Sequence, residues 1–216
     1  MTTITTPRLS LTRFVTDDWP FFLRLRQDPQ VMRFMGEVLS EEALRSVFVS
    51  RCADPGVFVL RDKFGEALGD IGLRISPKNP HEADVGYALL PQAQGKGYAS
   101  EALRAVCEYG FTTLGVQAIN AWVLGENRGS SRLLEKQGFV RTQVLEKAYH
   151  LNGVDYDDWI YRLEREAHPA SADAGMSRLF QRTFQKLLQA RAFRRAKQRI
   201  RMPFFFNFTL MQKNDM

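Results

Sequence analysis

A chain of 216 residues, 44% hydrophobic and 25% charged, can bury one substantial core with an appendage, and its composition excludes a fibrous or wholly disordered protein. The net charge of +6 is unevenly placed: 20 Lys+Arg face 22 Asp+Glu through residue 166, and 10 face 2 beyond it, so the basicity belongs to the tail. Cys52 and Cys107 show no metal or redox spacing, the start "MTTITTPRLS" has no secretory apolar run, and no stretch reaches the ~18–20 apolar residues that span a bilayer. A cytoplasmic protein without a metal is expected.

Arg8 to Phe14 alternates, with Leu9 and Leu11 on one side and Arg8, Ser10 and Thr12 on the other, which predicts a strand. Thr16, Asp17 and Asp18 open a helix that ends near Asp28, because Pro29 disfavours helical geometry before it. Ser40–Cys52 is a second helix with a serine cap and early glutamates. Residues 56–62, 67–76 and 82–90 are strands separated by Gly, Pro and Asn. Tyr98–Leu114 is helical, 118–124 is a strand, and "NRGSSRLLEKQGF" is a short helix closed at Gly138. The last two strands form a hairpin around Asn152-Gly153.

The order β-α-α-β-β-β-α-β-α-β-β predicts an α/β fold, a mixed sheet of about seven strands with flanking helices, over residues 1–166. Residues 167–175 form a small-residue linker. Residues 176–216 are a tail with a basic amphipathic helix, suited to rRNA, an anionic membrane surface, an acidic protein or simple packing.

"PQAQGKGYASEA" (91–102) sets Gly95 and Gly97 between a strand stopped by Pro91 and a helix. Unpaired N–H groups at a helix start, approached closely where glycine lacks a Cβ, suit a pyrophosphate. The same spacing also serves a tight turn that holds nothing. Neither the Walker nor the dinucleotide pattern is present.

Gln92-x-x-Gly95-x-Gly97 resembles the Gln/Arg-x-x-Gly-x-Gly/Ala signature of the GNAT superfamily of acetyl-CoA-dependent N-acyltransferases. The segments "TPRLSLTRF", "DPQVMRFMG", "IGLRI", "ENRGSSRLLEKQGF" and "DYDDWIYRL" follow in the order of its Rim-type branch, which is similar to ribosomal-protein N-terminal acetyltransferases. The resemblance covers roughly residues 7–165 and implies a GNAT-like fold. It further implies that the end of strand 82–90 leaves its neighbour, freeing Ala88, Leu89 and Leu90 for the pantetheine amides, with an oxyanion donor near Leu89. Gln92 belongs to the signature. N–H groups from Gln94 through Gly95, Lys96, Gly97 and Tyr98 to Ala99 would hold the pyrophosphate of coenzyme A. Lys96 adds a charge or is solvated. Asn127 touches the pantetheine arm or caps its helix, and Ser130 protonates the leaving thiolate or sits in the helix start.

The base is open. The position of the branch's glutamate is Tyr149 here, and Asp84 is the other candidate, unless it is a plain strand residue. Tyr149 could also act as an acid or a wall. Trp19, Phe34 and Met35 lie where the family's first helices wall the acceptor site, and as apolar residues they suit the core equally well. A peptide α-amine, with a pKa of about 8, needs less base than a lysine near 10.4. A protein N-terminal amine is therefore the expected acceptor. Polyamines, antibiotics and other small amines remain open, as does a non-catalytic coenzyme A-binding module with a nucleic-acid- or membrane-binding tail. Either a monomer or a homodimer is compatible.

Overall fold

The computed structural model describes residues 3–168; the expected tail lies outside them, as does the expected linker beyond its first two residues. The strands are β1 Ile4–Thr5, β2 Leu9–Arg13, β3 Val57–Asp62, β4 Ala67–Ser76, β5 Asn79–Leu89, β6 Ala118–Leu124, β7 Val140–Leu151 and β8 Val154–Glu164. The helices are α1 Trp19–Gln27, α2 Pro29–Met32, α3 Glu41–Ala53, α4 Tyr98–Thr112 and α5 Arg128–Lys136. All eight strands join one mixed sheet in the order β1-β2-β3-β4-β5-β6-β8-β7. The strand beyond the expected seven is β1, two residues antiparallel to β2 and too short to show a period.

Local chemistry explains two boundaries. Residues Thr16–Asp18 form a 3-10 turn, and α1 begins only at Trp19, with Pro20 in its first turn where a missing N–H costs little. Asp28-Pro29 ends α1 as expected and also starts α2: the Asp28 carboxylate accepts from the Gln30 and Val31 N–H groups.

Helices cover both faces of the sheet. On one face Leu103, Val106 and Phe111 of α4 pack on Phe58, Ile71 and Ile119. On the other, Phe22 and Leu25 of α1 and Leu44 and Phe48 of α3 pack on Val57 and Val59. The hairpin between β7 and β8 turns at Asn152 and Gly153, both with positive φ (50° and 77°), as Asn-Gly demands. His168, expected in the linker, is buried against the Phe111 ring, so the domain's packing reaches two residues past 166.

Candidate active site

β5 and β6 run parallel but pair only at Glu82–Ala118, Ala83–Ile119 and Asp84–Asn120. Beyond that point β5 continues to Leu89 and β6 to Leu124, side by side without a ladder. Leu90 N–H donates to Leu68 O at 2.9 Å on the β4 side. Backbone groups alternate in direction along a strand, so those of Val85, Tyr87 and Leu89 point into the opening. Of the expected set, the Leu89 N–H points into the opening while its carbonyl accepts from the Gln94 side chain, Ala88 is directed to its β4 partner Asp70 and the Leu90 N–H is used. A cavity of about 90 Å³ occupies the gap. Tyr87, Asn127 and Ser130 line it on the α5 side; Phe34, Trp122 and Asp158 line it on the other.

The glycine loop lies at the open end of β5. Pro91–Ala93 make a 3-10 turn, Gln94 is extended, and Gly97 caps α4 with a left-handed φ of 82°. Gly95 also has a positive φ (71°), and a Cβ there would meet no atom within 4 Å, leaving an open cradle. Its N–H and those of Lys96 and Gly97 make no backbone bond, and Tyr98 and Ala99 stand in the first helical turn, where none exists to make. Gln94 differs from expectation: its N–H donates to Pro91 O, and its side chain donates to Leu89 O at 2.9 Å. The five free amides at the positive end of α4 fit a diphosphate.

On the α5 side the Tyr87 and Ser130 hydroxyls lie 2.8 Å apart. Burial raises the Tyr87 phenol, a shift its bond to Ser130 partly opposes. Asn127 caps α5, its Oδ1 accepting from Ser130 N–H at 3.2 Å, while its side chain also lines the gap. Both expected uses of Asn127 are therefore sterically compatible.

Residues 8–140 match the acetyltransferase (GNAT) domain family. The chain belongs to the GNAT family. The uncharacterized N-acetyltransferase YnaD of Bacillus subtilis is 31% identical over 169 residues, covering 76% of this chain and 97% of its own. The uncharacterized N-acetyltransferase YoaA of the same organism is 37% identical over 98 residues, where the match spans 45% of this chain and 55% of that relative. A spermidine N(1)-acetyltransferase of Vibrio cholerae is 29% identical over 96 residues, 44% of this chain and 56% of its own. A GNAT-family acetyltransferase structure from Bacillus anthracis superposes with a TM-score of 0.71 at 26% identity, over 76% of this chain and 99% of that one. The protein is an N-acetyltransferase of mixed α/β GNAT fold, and GNAT enzymes use acetyl-CoA.

The GNAT site brings together some expected residues and separates others. Phe34 and Met35 line the gap, whereas Trp19 packs on Phe48 between α1 and α3. Asp84 is buried at the last paired rung of β5 and β6, before the strands part, and is not among the cavity lining. Tyr149 is 4% exposed and packs with Leu124 and Leu151 behind the cavity wall. Burial raises its phenol most, with Asp158 and Glu37 adding to the shift.

Two residues escape the sequence. Asp158 sits within a run of acids that looks solvated, although the alternation of β8 turns Asp157 to the Lys147 N–H and its neighbour into the gap. Arg8 reaches the glycine loop from before β2, donating to Lys96 O at 2.9 Å and pairing with Glu101 at 2.6 Å. Among the described residues no His, Cys, Asp and Glu cluster could hold a metal, and no helix is long and apolar enough to cross a membrane.

Proposed function

We propose that this enzyme acetylates a primary amine of a small cationic molecule, with acetyl-CoA as donor. The observation that carries the reading is the parting of β5 and β6 after Asp84 and Asn120, which opens a passage through the sheet. Donor and acceptor then approach from opposite faces. The amides of Gly95–Ala99 bind the pyrophosphate, and the freed backbone of Val85 and Tyr87 takes the pantetheine amides. The Leu89 N–H is placed to stabilise developing charge on the carbonyl oxygen. The Ser130 hydroxyl, in contact with Tyr87, supplies a proton to the departing thiolate.

The argument that an α-amine needs less base favours a protein N-terminal amine, as in the Rim-type branch, only where the site has no well-placed carboxylate. Asp158 lines the gap and supports the small-amine reading instead. A narrow gap with one acid and the side chains of Phe34, Met35 and Trp122 suits an alkylammonium. The similarity to a spermidine acetyltransferase supports the same choice. Free cysteines at 52 and 107 suit a reducing compartment, the cytoplasm.

The test is release of free thiol from acetyl-CoA in the presence of spermidine, putrescine, glycinamide or peptides with free N-termini. Polyamines should turn over at least about tenfold faster, per kcat/KM, than the peptides. The reverse order would return the acceptor to protein N-termini.

A further inference from the structure

Four aspartates are buried among the described residues: Asp18, Asp70, Asp84 and Asp158. Asp18 meets Arg61, Asp70 meets Arg26 and Arg51, and Asp84 is also engaged. The side-chain carboxylate of Asp158, a residue 8% exposed on β8 opposite Leu124 of β6, has no hydrogen bond or ion pair with any described residue. Its carboxylate lines the gap on the face shared with Trp122, Leu124 and Phe34. A buried charge without a partner is expensive, and folded proteins retain one where a ligand supplies the counter-charge. The other side chains that line this face are apolar, so the missing partner is a cation.

We propose that Asp158 receives the acceptor's ammonium group and takes its proton, making it the general base of the reaction and the residue that selects alkylamines. This rests on the acetyltransferase reading of the same site. The Asp158 carboxylate accepts one proton from R–NH3+, which frees the nitrogen lone pair. The nitrogen attacks the thioester carbonyl carbon, the C–N bond forms, and the C–S bond breaks with its electron pair leaving on sulfur. The second proton shed by the nitrogen passes to the thiolate through the hydroxyls of Ser130 and Tyr87. Asp158 releases its proton to water, so an ammonium and a thioester become an amide, a thiol and one free proton.

The titratable and charged groups around Asp158 are few. Tyr149 approaches from β7, with Glu37 beyond it, and Tyr87 lines the gap from β5. Arg33, exposed, stacks on the Phe34 ring at 4.9 Å. Burial raises the Asp158 carboxyl to about 6, which makes it a stronger base while leaving it mostly ionised at neutral pH.

The experiment compares the wild-type protein with Asp158→Asn and Asp158→Glu, using spermidine and glycinamide as acceptors across pH 5 to 10. Coenzyme A affinity is measured by calorimetry on the same proteins. Wild-type kcat/KM should rise through about pH 6 and fall near the pKa of the amine, as expected when ammonium and carboxylate meet. Asp158→Asn should bind coenzyme A as wild type does and lose about a hundredfold or more in kcat/KM at pH 7. Its remaining rate should climb steadily up to the amine pKa, with a greater loss on spermidine than on the less basic glycinamide. Asp158→Glu should recover part of the rate. An unchanged pH profile in Asp158→Asn overturns the proposal, as does a loss matched by loss of coenzyme A binding; both leave the acetyltransferase reading in place. Absence of thiol release by the wild type on either amine, with coenzyme A bound, overturns this proposal and the small-amine reading together.

Discussion

Burial lifts the Asp158 carboxyl from 3.8 to about 6, so the folded protein holds that proton more tightly than the unfolded chain. The associated stability is fully present below about pH 4 and is lost as pH rises through about 6. At pH 8 the ionised side chain then costs roughly 3 kcal/mol against a neutral isostere of the same shape. Asp158→Asn should therefore be more stable than wild type at pH 8, by about 1–3 kcal/mol, with the difference vanishing towards pH 4. Urea melts at the two pH values check this; a wild type more stable than the variant at pH 8 would show a carboxylate already paired. Gain of stability with loss of turnover is the mark of a residue kept for function. Neither effect is legible in "DYDDW". Asp157 and Asp158 look alike in sequence, and only the alternation of a strand flanked on both sides separates a backbone ligand from a buried acid.

The glycine loop and α4 act as one element. Gly95 and Gly97 take left-handed backbone conformations, and the amides between them stay free because no ladder or helix claims them. Glu101 in the first turn of α4 would repel an anion. It is held instead by Arg8 and Thr6, whose bonds keep its carboxyl below the usual range against the opposing effect of burial. β2 and its approach thus neutralise the anion site of a helix about 90 residues later, a contact no local pattern announces. Gly95→Ala should cost about 1–2 kcal/mol of stability through its positive φ. Its Cβ would also enter the cradle, so coenzyme A affinity should weaken about tenfold or more. Calorimetry with coenzyme A decides: an unchanged Kd would mean that the pyrophosphate lies elsewhere.

At the scale of the whole molecule, a buried ion cluster ties α1 and α3 to the sheet. Arg26 (1% exposed) donates to Asp70 Oδ2 of β4, which is fully buried, and Arg51 (2%) forms an ion pair with the same oxygen at 3.2 Å. Asp70 is the rung partner of Ala88, near where β5 leaves β6, so the cluster braces the sheet beside the site. Removing the shared acceptor strands charge in the core. Asp70→Ala should lose about 3–5 kcal/mol, a large part of the 5–15 kcal/mol that holds a domain of this kind folded. Denaturant unfolding measures it, and a loss below about 1 kcal/mol would show that the arginines find other acceptors. Strand order matters equally here. β8 lies between β6 and β7, which places Asp158 beside Leu124, and β7, with Arg141, Gln143 and Lys147, takes the exposed edge.

The sequence alone determined the local decisions. Period-2 and helical spacing marked nearly every strand and helix, Asn152-Gly153 specified its turn, and Gln92, Gly95 and Gly97 pointed to the family, because each depends on residues within a few positions of one another. It did not reveal Asp158, the Arg8–Glu101 tie, the Tyr87–Ser130 pair or the Arg26–Asp70–Arg51 cluster. The contacts among them join residues 19 to 93 positions apart. Burial and charge compensation are properties of the packed chain. An acid's partner, or its lack of one, exists only once the strands have taken their order and the core has closed around it.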